Sequence, residues 1–342
     1  MKFIKCRYWV LGLFVFVFPL IAQAQVNLSK ISVNNFGSSF RGLYAVNKDI
    51  VWAAGSGGVY MKTTDGETWL ADTIRGCKNL DFRDIHAFDE KTAVVMSSGN
   101  GCFMYHTADG GITWKLAYQD TNKTTFFDGM DFWDSKNGIA YGDPVNGQMQ
   151  LLITTNGGKD WRKFVPESMP ETLEGEAGFA ASGTGIVCKG KNTVWIATGG
   201  GNIARVFKSE NRGRTWQVLN TPMRAGVGNG IYSLSFSDAM HGLAVGGNYL
   251  DSTNTSGNCA ITADGGITWK LVSTNGPRGY RSCVSADSPY IITAGRTGLD
   301  VSTDGGNYWM PLSNEGYYSC VCKDGVVWFV GRKGKLAKLM LK

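Results

Sequence analysis

The chain has 342 residues with 46 glycines, only 8 prolines, 43% hydrophobic and 12% aromatic residues, and a formal net charge of +6. That balance is too weak to mark a nucleic-acid binder, and the composition is that of a globular chain. Three histidines far apart (His86, His106, His241) and the lack of any Cys-x-x-Cys argue against a zinc or haem site.

Taken from the N-terminus, the first segment reads as an address rather than a fold. Lys2, Lys5 and Arg7 precede the apolar run WVLGLFVFVFPLIA, and Ala22-Gln23-Ala24 supplies a small-x-small cleavage site, the pattern of a secretory signal peptide over 1–24. The run is short for a bilayer span and Pro19 interrupts it, so no stable membrane anchor is expected. The expected location is periplasmic or secreted. Residues 25–342 then form one domain, carrying a net charge of +3 and seven cysteines. An odd number leaves at least one thiol free or paired between molecules.

The segment KISVNNF, from Lys30, reads as a lone strand. After it, a strand-opening motif recurs seven times: FRGL at Phe40, FRDI at Phe82, FDGM at Phe127, FAAS at Phe179, IYSL at Ile231, YRSC at Tyr280 and YYSC at Tyr317. A second motif follows six of them. The decapeptide TADGGITWKL occurs identically from Thr107 and from Thr262, and four degenerate copies end at Trp69, Trp161, Trp216 and Trp309. The six tryptophans are spaced by 45, 47, 55, 53 and 40 residues. Each unit runs strand, Gly-rich turn, strand, with no sustained helical period. A four-stranded blade repeats at this interval. The seventh unit, from Tyr317, holds three strands and no second motif. If the N-terminal strand completes it, the ring closes without an open edge. The expected fold is all-β: a seven-bladed β-propeller whose last blade is closed by the N-terminal strand.

The second motif resembles the Asp-box, or bacterial neuraminidase repeat. Its positions here are Asp65/Trp69, Asp109/Trp114, Asn156/Trp161, Asn211/Trp216, Asp264/Trp269 and Asp304/Trp309. In a hairpin the carboxylate accepts backbone N–H groups, the second Gly tolerates positive φ, and the Trp fills the gap between blades. Six equivalent copies around a ring cannot converge on one substrate, and two carry Asn, so the motif reads as architecture. RGL at Arg41, CKNLDFRDI from Cys77, MDFWDSKNGIAYGDPVNG from Met130 and GEAGFAASGT from Gly175 together resemble the propellers related to the photosystem II stability/assembly factor. The resemblance covers essentially residues 25–342. It implies a WD40/YVTN-like propeller acting as a non-enzymatic binding or assembly scaffold; no cofactor or metal is expected from the residues themselves. The Gly runs at Gly55 and Gly199 precede no helix, so they are no dinucleotide fingerprint.

In a propeller, the connections leading into each innermost strand share one face with the turns joining second and third strands, and ligands bind there. The residue following the first letter of each opening motif then marks a ring: Arg41, Arg83, Asp128, Ala180, Tyr232, Arg281 and Tyr318. Arg41, Arg83 and Arg281, with Asp131, Asp143 and Glu176 near the same face, are candidate ligand-binding residues. The arginines could grip a carboxylate, sulfate or phosphate, or could pair structurally with Asp84, Asp128 and Asp131. The expected partner at this mouth is a protein or a glycan. The alternative is a sialidase-like glycoside hydrolase, with Tyr232 or Tyr318 as nucleophile and Asp84 or Asp128 as proton donor. Tyr249 and Trp133 are candidate stacking platforms in the same mouth. Cys77 and Cys102 both map there and are the expected disulfide, whereas Cys283 and Cys320 read as buried apolar side chains.

Overall fold

The computed structural model describes residues 28–33, 37–99 and 101–341; the expected signal peptide lies outside the described residues. Among those described, seven four-stranded antiparallel sheets are arranged as the blades of a propeller. The innermost strands are Phe40–Ala45, Phe82–Ala87, Phe127–Phe132, Ile186–Lys189, Asn229–Phe236, Cys283–Asp287 and Ser319–Lys323. Within a blade the strands follow chain order outward. The last blade is the exception: Ser319–Lys323, Val326–Val330 and Leu336–Met340 are followed outermost by Ser29–Lys30. Ser29 pairs with Lys338 and Lys30 with Ala337, and the Ile31 N–H donates to the Leu336 carbonyl at 3.0 Å. The expected closure is therefore present, on a strand shorter than KISVNNF; Asn34 to Phe36 lie outside the described residues.

Second strands such as Val51–Gly55, Ala93–Ser97 and Val326–Val330 are buried at every position. Both their faces pack on neighbouring blades, so their sequences run apolar without alternation. Outermost strands such as Met310–Ser313 contribute one edge to solvent and read mixed.

The core is accordingly divided into seams between blades. Trp69 packs with Trp328 of blade 7, Trp114 with Trp52 and Tyr60 of blade 1, and Trp161 with Val94 and Met96 of blade 2. Trp216, Trp269 and Trp309 fill the next three seams in the same sense. Each indole thus plugs the gap toward the preceding blade. The hairpin that presents it is built on one acceptor. Asp109 Oδ1 takes the Thr113 N–H at 2.9 Å and the Thr107 hydroxyl at 2.9 Å. Asn156 and Asn211 do the same through Oδ1, from the N–H groups of Asp160 and Thr215. Asp65, Asp264 and Asp304 repeat it. The turn needs an oxygen, not a charge, which is why Asn substitutes.

Candidate functional site

In four inner strands the ladder slips by one residue, between Phe40 and Gly42, Phe82 and Asp84, Phe127 and Gly129, and Ile231 and Ser233. The residues left out are Arg41, Arg83, Asp128 and Tyr232, four of the ring positions expected from sequence. A β-bulge releases one residue from pairing and re-aims its side chain. Here it turns four polar or aromatic groups toward the hub.

The hub itself is filled. Blade 4 does not begin its strand at Phe179; the strand starts at Ile186, and the segment from Gly178 to Gly185 enters the channel as a plug. The Ala181 carbonyl accepts Arg41 Nη1 at 3.4 Å and the Ala180 carbonyl accepts Arg83 Nη1 at 3.5 Å. Ser182 donates to the Ser282 carbonyl of blade 6 at 2.8 Å, and Thr184 meets the Ser233 hydroxyl of blade 5 at 2.6 Å. Phe179 stacks on Tyr232 at 3.9 Å. The plug's glycines are obligatory. A Cβ on Gly183, at φ +77°, would lie 2.1 Å from Asp84 Oδ1, and one on Gly185 would lie 2.2 Å from the Tyr141 hydroxyl.

Several expected site residues are consumed by this architecture. Asp84 accepts the N–H groups of Ile85 at 2.8 Å and Met130 at 2.7 Å, tying blade 2 to blade 3. Asp131 ties blade 3 to blade 4 through the Cys188 N–H at 2.7 Å. Burial raises their pKa values to about 7 and about 6. Glu176 holds Arg205, with Arg205 Nε at 3.0 Å. Arg281 is not a mouth residue. It is 0% exposed and donates Nε at 2.7 Å to Asp300, which Arg278 Nε also meets at 2.7 Å. Its side chain turns into the blade, where Asp300 holds it. Asp143 accepts the Gly178 N–H at 3.0 Å and steers the plug. Asp128 is wholly buried, with the Asp143 carboxyl and the Ala180 backbone as its polar neighbours. Burial, with Asp143 beside it, pushes its pKa well above the carboxylate range.

The acid–tyrosine pairs expected of a hydrolase are not formed among the described residues. The Tyr232 hydroxyl donates to the Gly228 carbonyl at 2.9 Å, and burial raises its pKa, the opposite of what a nucleophile needs. Tyr318 lies under the Arg41 guanidinium, 4.2 Å from the ring centroid. Trp133 sits at the other end of the propeller, in the turn after an inner strand, where its indole donates to the Thr193 carbonyl. Cys77 and Cys102 do not pair. Both are free thiols, because Cys77 packs in the seam between blades 1 and 2 and Cys102 in the seam between blades 2 and 3. The blade-2 sheet stands between them.

Arg41 and Arg83 do converge, as expected from sequence. Burial, and then the Arg83 charge, lower the pKa of Arg41, while Arg83 also holds Asp81 at 2.8 Å. Beyond them the mouth continues over Tyr318, which the ring count placed, and over five residues that it missed. Arg296, Gly316, Tyr318, Arg332, Lys333 and Lys335 line a cavity of about 670 Å3. The signal was present in the last two units, where second-to-third-strand turns read GRTG and GRKGK.

Comparison with solved structures places this geometry among known folds. A structure described as YCF48 bound to D1 peptide superposes with a TM-score of 0.63 at 16% identity, over 92% of this chain and 95% of that one. YCF48 from Cyanidioschyzon merolae gives 0.63 at 17%, over 92% and 98%. The likeness is one of fold. The Niastella koreensis GH74 enzyme gives 0.59 at 14%, over 91% of this chain but 53% of its own length. No protein-family model and no curated protein matches the sequence. Among the described residues no helix is long and apolar enough to cross a membrane, and no cluster of three or more His, Cys, Asp or Glu could hold a metal ion.

Proposed function

We propose that this protein is a secreted or periplasmic, non-enzymatic binding scaffold of the Asp-box propeller type, which engages a peptide segment of a protein partner at its channel mouth. One observation carries the reading. Of the groups a hydrolase would use, Tyr232 and Asp84 are held in the protein's own hydrogen bonds, Asp128 is wholly buried and Tyr318 lies under the Arg41 guanidinium, while Arg41 and Arg83 stand together at the rim of a plugged hub. A closed hub leaves a surface for contact rather than a passage, and paired guanidinium groups favour a chain bearing carboxylates. The YCF48 neighbour described as bound to a D1 peptide supports a peptide ligand on this fold.

The test is affinity capture from an envelope fraction with the immobilised protein, beside Arg41→Glu and Arg83→Glu variants and a panel of chromogenic glycosides. A partner retained by the parent and lost by both variants is the expected result. Turnover of any glycoside, abolished by Tyr232→Phe or Tyr318→Phe, would overturn it.

A further inference from the structure

The 670 Å3 cavity on the blade 6–7 side of the mouth has a charge pattern that the partner reading does not require. Elsewhere the fold pairs its most deeply buried guanidinium groups with acids: Asp300 with Arg281, and Glu176 with Arg205. No acid stands among the residues lining this cavity. Among the described residues Arg332 and Lys333 have no side-chain hydrogen bond or ion pair, Arg296 reaches the Tyr249 carbonyl at 3.5 Å and its ring, and Lys335 reaches the Gly316 carbonyl at 3.4 Å and the Tyr317 ring. Glu315, the acid nearby, is already paired with Lys30. Arg41 lies across the Tyr318 ring that forms part of the lining. Four cations therefore face one concavity.

The turn that presents two of them holds a lysine in a left-handed position. Lys333 adopts φ +53° and Gly334 φ +73°. Glycine or asparagine occupies such left-handed positions at least cost, and a lysine there keeps a charge at the expense of conformation.

We propose that this cavity binds a dianionic phosphate ester, with Arg332 and Arg296 offering planar N–H pairs to the phosphoryl oxygens, Lys333 and Lys335 adding point charges, and Tyr318 flooring the organic substituent. A single carboxylate engages two arginines at most inside the same protein, as Asp300 does with Arg278 and Arg281, and this cavity offers four cations. Two charges on three oxygens need the larger set. The volume accommodates the ester group together with a small organic body.

The experiment is calorimetric titration of the intact protein with glycerol 3-phosphate at low ionic strength, since exposed charges are screened by salt. The phosphoryl second ionisation falls near about pH 6, whereas arginine and lysine stay charged throughout. None of the three histidines lines the cavity. Affinity should therefore rise about ten-fold between pH 5 and pH 7.5. The variant Arg332→Ala/Lys333→Gly should lose about ten-fold or more per cation removed. Its melting temperature should be kept or raised, because Gly relieves the left-handed residue. Arg162→Ala, on an exposed outer strand, should bind as the parent does. Vesicles carrying phosphatidic acid distinguish a lipid headgroup from a free ester. Three results would overturn the site: no binding at millimolar ester, undiminished affinity in the double variant, or preference for a glutamate-rich peptide with no dependence on pH in this range. Partner capture lost with ester binding intact would sink only the scaffold reading.

Discussion

Replacing Asp300 with Ala removes the single anion that two guanidinium groups share. Arg281 and Asp300 are 0% and 1% exposed, and Arg281 would keep only the Tyr280 carbonyl and the Thr297 hydroxyl, at 2.9 and 3.0 Å. A buried cation left without its partner costs about 3–5 kcal/mol. Loss of the half-exposed Arg278 contact adds about 0–1 kcal/mol, and its other bonds to the Leu299 and Ser313 carbonyls persist. With a guanidinium chloride slope of roughly 4 kcal/mol/M, the unfolding midpoint should fall by about 1 M. The double variant Arg281→Met/Asp300→Leu removes both charges and keeps the volume, so it should recover to within about 1 kcal/mol of the parent. Equilibrium unfolding followed by tryptophan fluorescence measures all three proteins. A shift below about 0.25 M for Asp300→Ala, or a double variant as damaged as the single one, would refute the claim that this pair is a structural unit.

Gly183→Ala should destabilise by about 3 kcal/mol or more, combining a left-handed alanine with displacement of Asp84 from the Met130 N–H; an unchanged melting temperature would mean that the plug is not seated as described. Asp128 has its pKa raised by burial, so its folded form holds a proton that the unfolded chain releases above about pH 4, and stability must fall as pH rises from there. Asp128→Asn should flatten that slope and stabilise at pH 7.5, as read by denaturation across pH 4–8; a steeper slope would contradict the burial. Asp264 is the opposite case, depressed to about 2 by the Thr268 hydroxyl and N–H: the stability it contributes is complete above about pH 4 and is lost as pH falls toward 2. Asp264→Asn, matching the natural Asn156 and Asn211, should weaken that acid sensitivity with little cost at neutral pH. Peptide mapping of unreduced protein should find Cys77 and Cys102 both alkylated after unfolding, and a peptide joining them would be decisive against the seam assignment.

Blade number and closure were legible because each blade repeats the same problem: a fully buried second strand, an acceptor-built hairpin and an indole for the seam. Those demands are local, so the letters recur. The hub was legible only in part. Arg41 and Arg83 fall where the ring count placed them, on bulged inner strands, whereas Arg281 shares the letters but is drawn inward by Asp300. FAAS at Phe179 matches the motif too, yet the strand begins seven residues later at Ile186; the extra Gly-Thr-Gly was the sign of a chain leaving the sheet. What no motif could show is which carboxylate meets which backbone N–H across a seam, as with Asp84 and Met130, since such partners lie dozens of residues apart.

The plug has a consequence for how the wheel can be assembled. It is drawn from the middle of the chain, yet it bonds to Arg41 near the start and to Ser282 near the end. While synthesis proceeds from the N-terminus, the first blades emerge with their central polar groups still facing water, and nothing can occupy the axle until later blades arrive. The centre therefore sets last, as a keystone does in an arch, and contacts spanning such sequence distances make that step slow. A defect in the sixth blade would then reach the first through the plug that both of them hold.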